Sequence, residues 1–258
     1  MILLVDIGNT NIYMGIYENQ NCISTYRTHT DTRKSSDDYA EIVKKFVNEK
    51  GKGRMLGAII SSVVPSLTGA LKEALDSLYE VNTMVVGPNL KSGMPIKMDH
   101  PSEVGADLIS VSVGGIHQYG YPLLICDLGT ATKIIAIDEK GAFVGGVVMP
   151  GLKISLDALV GNTAQLPEIN LSVPKKVIGK NTIDSMNSGT IYGHIDAILG
   201  LVKRMEEELG KPAKKILTGG YAKTILKNMP QDFIYDEKLI LDGLFYLYQR
   251  NGGKEDEK

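Results

Sequence analysis

A short segment near the N-terminus recurs near the middle of the chain, and this repeat constrains the fold more than any other feature. The segment reads Leu-Val-Asp-Ile-Gly-Asn-Thr-Asn-Ile at residues 4–12 and Ile-Cys-Asp-Leu-Gly-Thr-Ala-Thr-Lys-Ile at residues 125–134. In both copies an apolar run ends in aspartate, a glycine follows where the backbone must turn sharply, and a second β-rich run begins. Two such copies predict two similar lobes.

Strand-like and helical patterns alternate along the rest of the chain. The predicted strands lie at residues 2–7, 58–64, 123–127 and 215–217. The predicted helices lie at residues 36–50, 66–78, 102–118, 182–209 and 239–249. This alternation is typical of an α/β protein. We expect an N-terminal lobe over residues 1–120, a C-terminal lobe over residues 121–250, and a charged tail over residues 251–258 that does not order.

Composition excludes several classes of function. The chain has 258 residues, a net charge of -2 and a pI near 6.1, so it has no basic field that would attract nucleic acid or an anionic membrane. Cys22 and Cys126 form neither a disulfide framework nor a zinc cluster. The sequence has neither a signal peptide pattern nor an apolar span of membrane length, so we expect a cytoplasmic protein.

The chemistry that the two repeated turns could serve is phosphate binding. A glycine turn exposes backbone N–H groups toward an anion, and the hydroxyls of Thr10 and Thr130 add donors. Asp6 and Asp127 at the strand ends could hold Mg²⁺, which keeps several water ligands and is shared with substrate phosphates. The alternative reading of either motif alone is an ordinary Asx-type turn between two strands.

A third glycine motif follows a predicted strand late in the chain. Residues 216–222 read Ile-Leu-Thr-Gly-Gly-Tyr-Ala, a strand that enters a glycine pair at the start of a helix. Such a pair lets a nucleotide approach the backbone closely. The sequence contains neither a Gly-x-x-x-x-Gly-Lys-Ser/Thr loop nor a Gly-x-Gly-x-x-Gly loop, so the competing nucleotide-binding folds lack their main signature.

The order of these three motifs resembles the two phosphate loops and the adenosine loop of the sugar kinase, heat-shock protein 70 and actin superfamily. Further segments at 61–65, 101–107, 145–152, 163–167 and 179–182 resemble the type III pantothenate kinases. The resemblance implies two actin-like (ribonuclease H-like) lobes, each a mixed β-sheet flanked by helices. It also implies ATP-dependent phosphorylation of pantothenate to 4'-phosphopantothenate in coenzyme A biosynthesis, with Mg-ATP, a potassium or ammonium ion, and a homodimer.

The resemblance also implies roles for individual residues. ATP would be held by Asp6, Ile7, Gly8, Asn9, Thr10, Asn11, Ile12, Tyr13, Thr130, Thr218, Gly219 and Gly220. Pantothenate would contact Met98, Gly105, Ala106, Asp107, Leu108 and Thr182. Asp127 would bind the monovalent cation, and Asp6 would bind Mg²⁺ directly or through water.

The resemblance assigns Asp107 as the base, and the chemistry agrees. Phosphoryl transfer to a primary alcohol needs a carboxylate that orients the hydroxyl and accepts its proton. The alternative, judged without the resemblance, is an acidic residue in the first turn of a helix, where it faces the positive end of the dipole.

Three positions depart from the family pattern. Leu108 stands where the family has arginine, Met98 where it has tyrosine, and Lys133 where it has threonine. These departures leave open a kinase for another small alcohol or a weakened nucleotide-binding paralogue. Lys133 could supply the positive charge of the missing arginine from another direction, it could replace the monovalent cation near Asp127, or it could be a solvated strand residue.

The histidines show no metal-ligand spacing, and we expect surface or incidental core positions for all four. They are His29, His100, His117 and His194.

Overall fold

The computed structural model describes residues 1–51 and 53–252. Its first half forms a five-stranded sheet in the order β3-β2-β1-β4-β5. The strands are β1 (Ile2–Ile7), β2 (Asn11–Glu18), β3 (Asn21–His29), β4 (Gly57–Ser62) and β5 (Met84–Val85). The helices of this half are α1 (Ser36–Lys50), α2 (Pro65–Tyr79) and α3 (Ala106–Tyr119).

The second half forms another five-stranded sheet, in the order β10-β9-β6-β7-β8. The strands are β6 (Leu123–Leu128), β7 (Ala131–Ile137), β8 (Phe143–Pro150), β9 (Lys214–Thr218) and β10 (Phe233–Tyr235). The helices are α4 (Leu152–Gly161), α5 (Thr182–Leu209), the short α6 (Ala222–Ile225) and the final α7 (Leu239–Arg250).

The two sheets share one topology, which confirms the prediction of two similar lobes. In the first sheet β1 pairs antiparallel with β2 and parallel with β4, and in the second β6 pairs antiparallel with β7 and parallel with β9. The register is also repeated: Asp6 lies opposite Tyr13, and Asp127 lies opposite Lys133. The fold is therefore α/β, with two mixed sheets flanked by helices.

The chain divides into two compact units, and their limits differ from those we expected. Within the described residues, the first unit comprises residues 1–51, 53–95, 99–118 and 238–252, and the second comprises residues 96–98 and 119–237. Helix α7 therefore belongs to the first unit rather than to the C-terminal lobe. The reason is a close helix crossing, since a Cβ added at Gly243 would collide with the Ser110 carbonyl of α3.

The short segment 96–98 belongs to the second unit because it pairs with β8. Ile96 forms a bridge to Phe143, and the Lys97 N–H donates to the Phe143 carbonyl at 2.8 Å. This pairing fixes the backbone on the N-terminal side of Met98.

Helix ends follow the local sequence. Helix α1 has the predicted bounds, and Ser35 and Asp38 form a reciprocal capping box at its start. Helix α3 begins at Ala106 instead of residue 102, because a 3-10 turn at Pro101–Glu103 is followed by the extended residue Val104. At the other end of the chain, the Asn251 side chain hydrogen-bonds the Leu247 and Lys91 carbonyls, whereas residues 253–258 of the predicted tail lie outside the described residues.

Each unit has its own apolar core. In the first, Val5 of β1 is buried in the same cluster as Val43 of α1. In the second, Leu128 of β6 is buried with Ile191 and Ile198 of α5. Within the described ranges 1–51 and 53–252, none of the helices is long and apolar enough to cross a membrane.

Candidate functional site

The first predicted phosphate turn connects β1 to β2. The Gly8 N–H donates to the Asn11 carbonyl at 3.0 Å and closes the turn. Thr30 supports it from the end of β3: its hydroxyl donates to the Gly8 carbonyl at 2.7 Å, and its N–H donates to the Thr10 carbonyl at 2.9 Å. These hydrogen bonds tie the turn to the end of β3. Sequence reasoning missed Thr30, since only the folded chain brings it to the turn.

Asp6 is the penultimate residue of β1 and is oriented by the neighbouring strand β4. The Ser61 hydroxyl, which is fully buried, donates to Asp6 Oδ1 at 2.9 Å. The contact follows from the parallel register of β1 and β4, which places Asp6 beside Ser61. Ser61 lies in the segment 61–65 that resembles the family, and the sequence alone assigns it no role.

The donor set around Asp6 fits Mg²⁺. Carboxylate oxygen is a preferred ligand of this hard cation. Among residues 1–51 and 53–252, no group of three or more histidine, cysteine or acidic side chains could hold a metal ion.

Asp107 lies in the first turn of α3, at the edge of the first sheet. Its Oδ1 accepts a hydrogen bond from the Leu108 N–H at 2.8 Å. The carboxylate folds back over Gly105, where an added Cβ would lie 2.6 Å from Oδ1 and 3.9 Å from Val63 Cγ1. Val63 follows β4, and its N–H donates to the Ile7 carbonyl of β1 at 3.0 Å. The first unit therefore brings the start of α3 to the sheet edge where β1 ends.

The second predicted phosphate turn connects β6 to β7 in the same way. The Gly129 N–H donates to the Ala131 carbonyl at 3.2 Å, and the Gly151 N–H donates to the Thr130 carbonyl at 3.2 Å. Gly151 immediately precedes α4 and lies so close that an added Cβ would collide with the Thr130 carbonyl. Gly151 lies in the segment 145–152 that resembles the family, but its contact with the distant Thr130 is not visible in the sequence.

The third motif packs directly against the second turn. Thr218 lies beside Asp127 in the parallel register of β6 and β9. Gly219 has a φ of +95°, and an added Cβ would lie 2.5 Å from Asp127 Oδ1, so glycine is required there on two grounds. The Tyr221 N–H then donates to the Leu128 carbonyl at 3.0 Å. The second unit thus joins the Thr218–Gly220 loop to the Asp127 turn.

Asp127 is ion-paired with Lys133. The Lys133 ammonium lies 3.0 Å from Asp127 Oδ2, and each side chain is only 18% exposed. The pair follows from the antiparallel register of β6 and β7, which places the two residues opposite each other. The reading of Lys133 as a solvated strand residue is therefore wrong, and a positive charge already lies beside the predicted cation ligand.

Two predicted acceptor residues, Thr182 and Met98, lie in the second unit. Thr182 begins α5 behind the N-cap Asn181 and lines an open groove of about 590 Å³ together with Lys180 and Leu166. Met98 is partly exposed, and its sulfur would lie 3.7 Å from a Cβ added at Gly145. The other predicted acceptor residues, from Gly105 to Leu108, are in the first unit.

One buried polar contact near the second turn was not anticipated. Thr132 Oγ1 and His194 Nε2 are 2.9 Å apart, and both side chains are buried. Burial lowers the pKa of His194, which keeps the ring neutral at pH 7. His194 is therefore a core residue, as expected, but it has a specific hydrogen-bond partner that the sequence does not reveal.

Comparisons with known proteins agree with this architecture. The sequence model of the type III pantothenate kinase family matches residues 2–204. A solved protein from Campylobacter jejuni, provisionally described as a Baf family transcriptional activator, is 19% identical with a TM-score of 0.62, over 96% of this chain and 98% of that chain. One from Sinorhizobium meliloti, provisionally described as a 2-dehydro-3-deoxygalactonokinase, is 12% identical with a TM-score of 0.64, over 100% and 99%.

A third solved structure with a similar fold is described as part of a dehydratase. Component A of the (R)-2-hydroxyglutaryl-CoA dehydratase of Acidaminococcus fermentans is 13% identical with a TM-score of 0.55, over 96% of both chains. At these identities the solved structures share the fold with this chain and carry no statement about its substrate. The predicted fold class of two actin-like lobes is confirmed.

Proposed function

The chain belongs to the type III pantothenate kinase family and is a phosphotransferase, and on that premise we propose that it transfers the γ-phosphoryl group of ATP to the primary hydroxyl of pantothenate. The product would be 4'-phosphopantothenate, an early intermediate of coenzyme A biosynthesis. The observation that carries the proposal is the position of Asp107. It lies at the side of the first sheet where strand β1 ends, and Asp6, whose carboxylate is oriented by Ser61, is near the end of the same strand.

Asp107 is the proposed proton acceptor. The acceptor hydroxyl oxygen forms a bond to the γ-phosphorus, the bond from that phosphorus to the departing ADP oxygen breaks, and the hydroxyl proton moves to the Asp107 carboxylate. The hydrogen bond from the Leu108 N–H to Asp107 Oδ1 fixes the carboxylate orientation. A base positioned in this way contributes about 10² to 10⁴ in rate.

The glycine turns are the proposed phosphate contacts. Thr30 donates hydrogen bonds to carbonyls of the first turn, and Gly151 donates one to a carbonyl of the second turn. The backbone conformation that would contact the phosphates is therefore supported by the protein itself. Such preorganised donors stabilise charge without reorganisation at the moment of transfer. Asp6 would hold Mg²⁺ directly or through water, and the bound ion would neutralise developing charge on the phosphates.

The monovalent cation at Asp127 remains a prediction, and the Asp127–Lys133 pair supports its alternative. An ammonium group 3.0 Å from the carboxylate supplies the single positive charge that a potassium ion would supply. We therefore propose that Lys133 takes the place of the cation, and that turnover does not depend on potassium or ammonium.

The choice of acceptor depends on Leu108, which follows Asp107 where the family has arginine. A charge-assisted hydrogen bond from arginine to an anionic acceptor is worth about 1.5–3 kcal/mol, and leucine cannot supply it. A second candidate function is thus phosphorylation of a small alcohol without a carboxylate at that position. A nucleotide-binding paralogue without turnover is the third reading.

The experiment that tests the proposed function is ADP release by the purified protein with Mg-ATP, with and without pantothenate. We expect ADP release that depends on pantothenate, with the product identified by mass spectrometry. Release that responds to other small alcohols and not to pantothenate would favour the second function. Bound ATP without release for any acceptor would favour the paralogue.

A homodimer in the cytoplasm is also proposed, and exposed apolar side chains of the second unit support self-association. Val177 and Ile178 are 65% and 82% exposed, and Val148 on the edge strand β8 is 70% exposed. We expect light scattering after size-exclusion chromatography to give the mass of a dimer, and Ile178→Asp to shift it toward a monomer. A monomeric wild-type protein at micromolar concentration would contradict the proposal.

A further inference from the structure

The buried hydrogen bond between Thr132 and His194 connects two parts of the second unit. Thr132 is the second residue of β7 and lies one residue beyond the phosphate turn at Gly129 and Thr130. His194 lies in the middle of α5, the helix that begins at Thr182. Their 2.9 Å contact is thus a polar link between this helix and the base of the turn.

The internal repeat offers a comparison for this position. In the second sheet Thr132 lies opposite Leu128. The corresponding pair of the first sheet is Ile12 and Ile7, and the Ile12 side chain is 1% exposed. The first unit therefore fills this place with an apolar side chain. The second unit places a hydroxyl and an imidazole there, although burying polar groups costs free energy unless they are paired. Packing alone does not require this pair.

We infer that His194 is a positioning residue for phosphoryl transfer, which holds the second phosphate turn in its nucleotide-binding shape through Thr132. The inference rests on the proposed function of that turn. Thr132 Oγ1 is hydrogen-bonded to a buried side chain of α5, and only Ala131 separates Thr132 from Thr130, the predicted phosphate contact. Gly151 restrains the same turn at the Thr130 carbonyl, so the two contacts together define where the turn lies.

Loss of the hydrogen bond should loosen the turn, in the single and the double variants alike, because this bond ties Thr132 to α5. A buried polar group without its partner bears its full desolvation cost, whereas replacement of both partners by apolar groups can be nearly neutral for stability. The double replacement also reproduces the apolar solution found at Ile12 in the first unit. It therefore separates the effect on nucleotide binding from the effect on folding.

The test compares Thr132→Val, which keeps the shape and removes the hydroxyl, with Thr132→Ser, which keeps the hydroxyl. On the other side, His194→Leu is compared with His194→Gln, whose amide can reach the position of Nε2. The double variant Thr132→Val/His194→Leu completes a mutant cycle. Tyr192→Phe is the control, because Tyr192 is also on α5 and its hydroxyl donates to the Pro174 carbonyl instead.

The first readout is the affinity for a non-hydrolysable ATP analogue with Mg²⁺, measured by calorimetry. The second is the change in the KM for ATP, compared with the change in kcat. We expect Thr132→Val and the double variant to bind the analogue about tenfold more weakly and to raise the KM for ATP about as much, with binding restored toward the wild-type value in Thr132→Ser. Tyr192→Phe should bind like the wild type.

The outcomes separate this inference from the proposed function. A folded double variant that binds the analogue like the wild type would overturn the inference, as would Thr132→Ser binding as weakly as Thr132→Val. Analogue binding needs no acceptor. A wild-type protein that binds the analogue and does not phosphorylate pantothenate would thus overturn the proposed function and leave the role of His194 to be decided by the variants.

Discussion

Replacement of Asp107 by asparagine should lower kcat at least about a hundredfold and leave the affinity for Mg-ATP nearly unchanged. Asparagine has almost the same shape and can keep the hydrogen bond from the Leu108 N–H, but it cannot accept the hydroxyl proton at neutral pH. A hundredfold loss corresponds to about 2.7 kcal/mol of transition-state stabilisation. Initial rates of ADP release and calorimetry with an ATP analogue measure the two quantities separately.

The control for this variant is Glu103→Gln. Glu103 is an exposed acidic residue of the 3-10 turn that precedes α3, so its replacement changes the charge of the same segment without touching the proposed base. Its kcat should stay within about twofold of the wild type, since surface substitutions away from special contacts have small effects. Wild-type turnover in Asp107→Asn would remove Asp107 from the mechanism.

The features that sequence predicted well are those encoded by neighbouring residues. The aspartate–glycine turns at Gly8 and Gly129 were visible because the strand, the carboxylate and the glycine are consecutive, and the structure gives both the same strand pairing. The bounds of α1 and α5 were also predicted correctly, because each begins at a capping side chain, Ser35 and Asn181.

The features that sequence missed depend on residues far apart in the chain. Thr30 reaches the Gly8 carbonyl across the β3–β2–β1 meander, and no local pattern marks it. Helix α4 was missed because it is short and follows Gly151, whose role depends on the distant Thr130. The sequence also does not show that α7 belongs to the first unit, because this depends on the close crossing of α7 and α3 at Gly243 and Ser110.

The pair of Asp127 and Lys133 lies between these cases. Sequence placed a cation next to the predicted cation ligand, but only the strand register decides whether the two side chains meet. Both charges are mostly buried, and removal of one partner from a buried pair leaves an uncompensated charge that costs about 3–5 kcal/mol in typical cases. A small cation that entered the vacated position would recover part of that cost.

Lys133→Met should therefore make turnover dependent on a monovalent cation. Methionine keeps an unbranched side chain of similar length and removes the charge. We expect the wild type to turn over equally in sodium, potassium and ammonium buffers. The variant should lose at least about tenfold in sodium and recover in potassium or ammonium, as the cation pairs with Asp127 in place of the ammonium group.

Lys215→Met is the matched control, because Lys215 lies in the same sheet, is 17% exposed and is ion-paired with Glu206 and Asp232. Its replacement removes an equally buried lysine away from the phosphate turns, so its turnover per folded molecule should remain indifferent to the cation. Wild-type turnover that already rises several-fold with potassium would contradict the proposal. That result would mean that a cation binds near Asp127 beside Lys133, and that the lysine orients the carboxylate instead of replacing the ion.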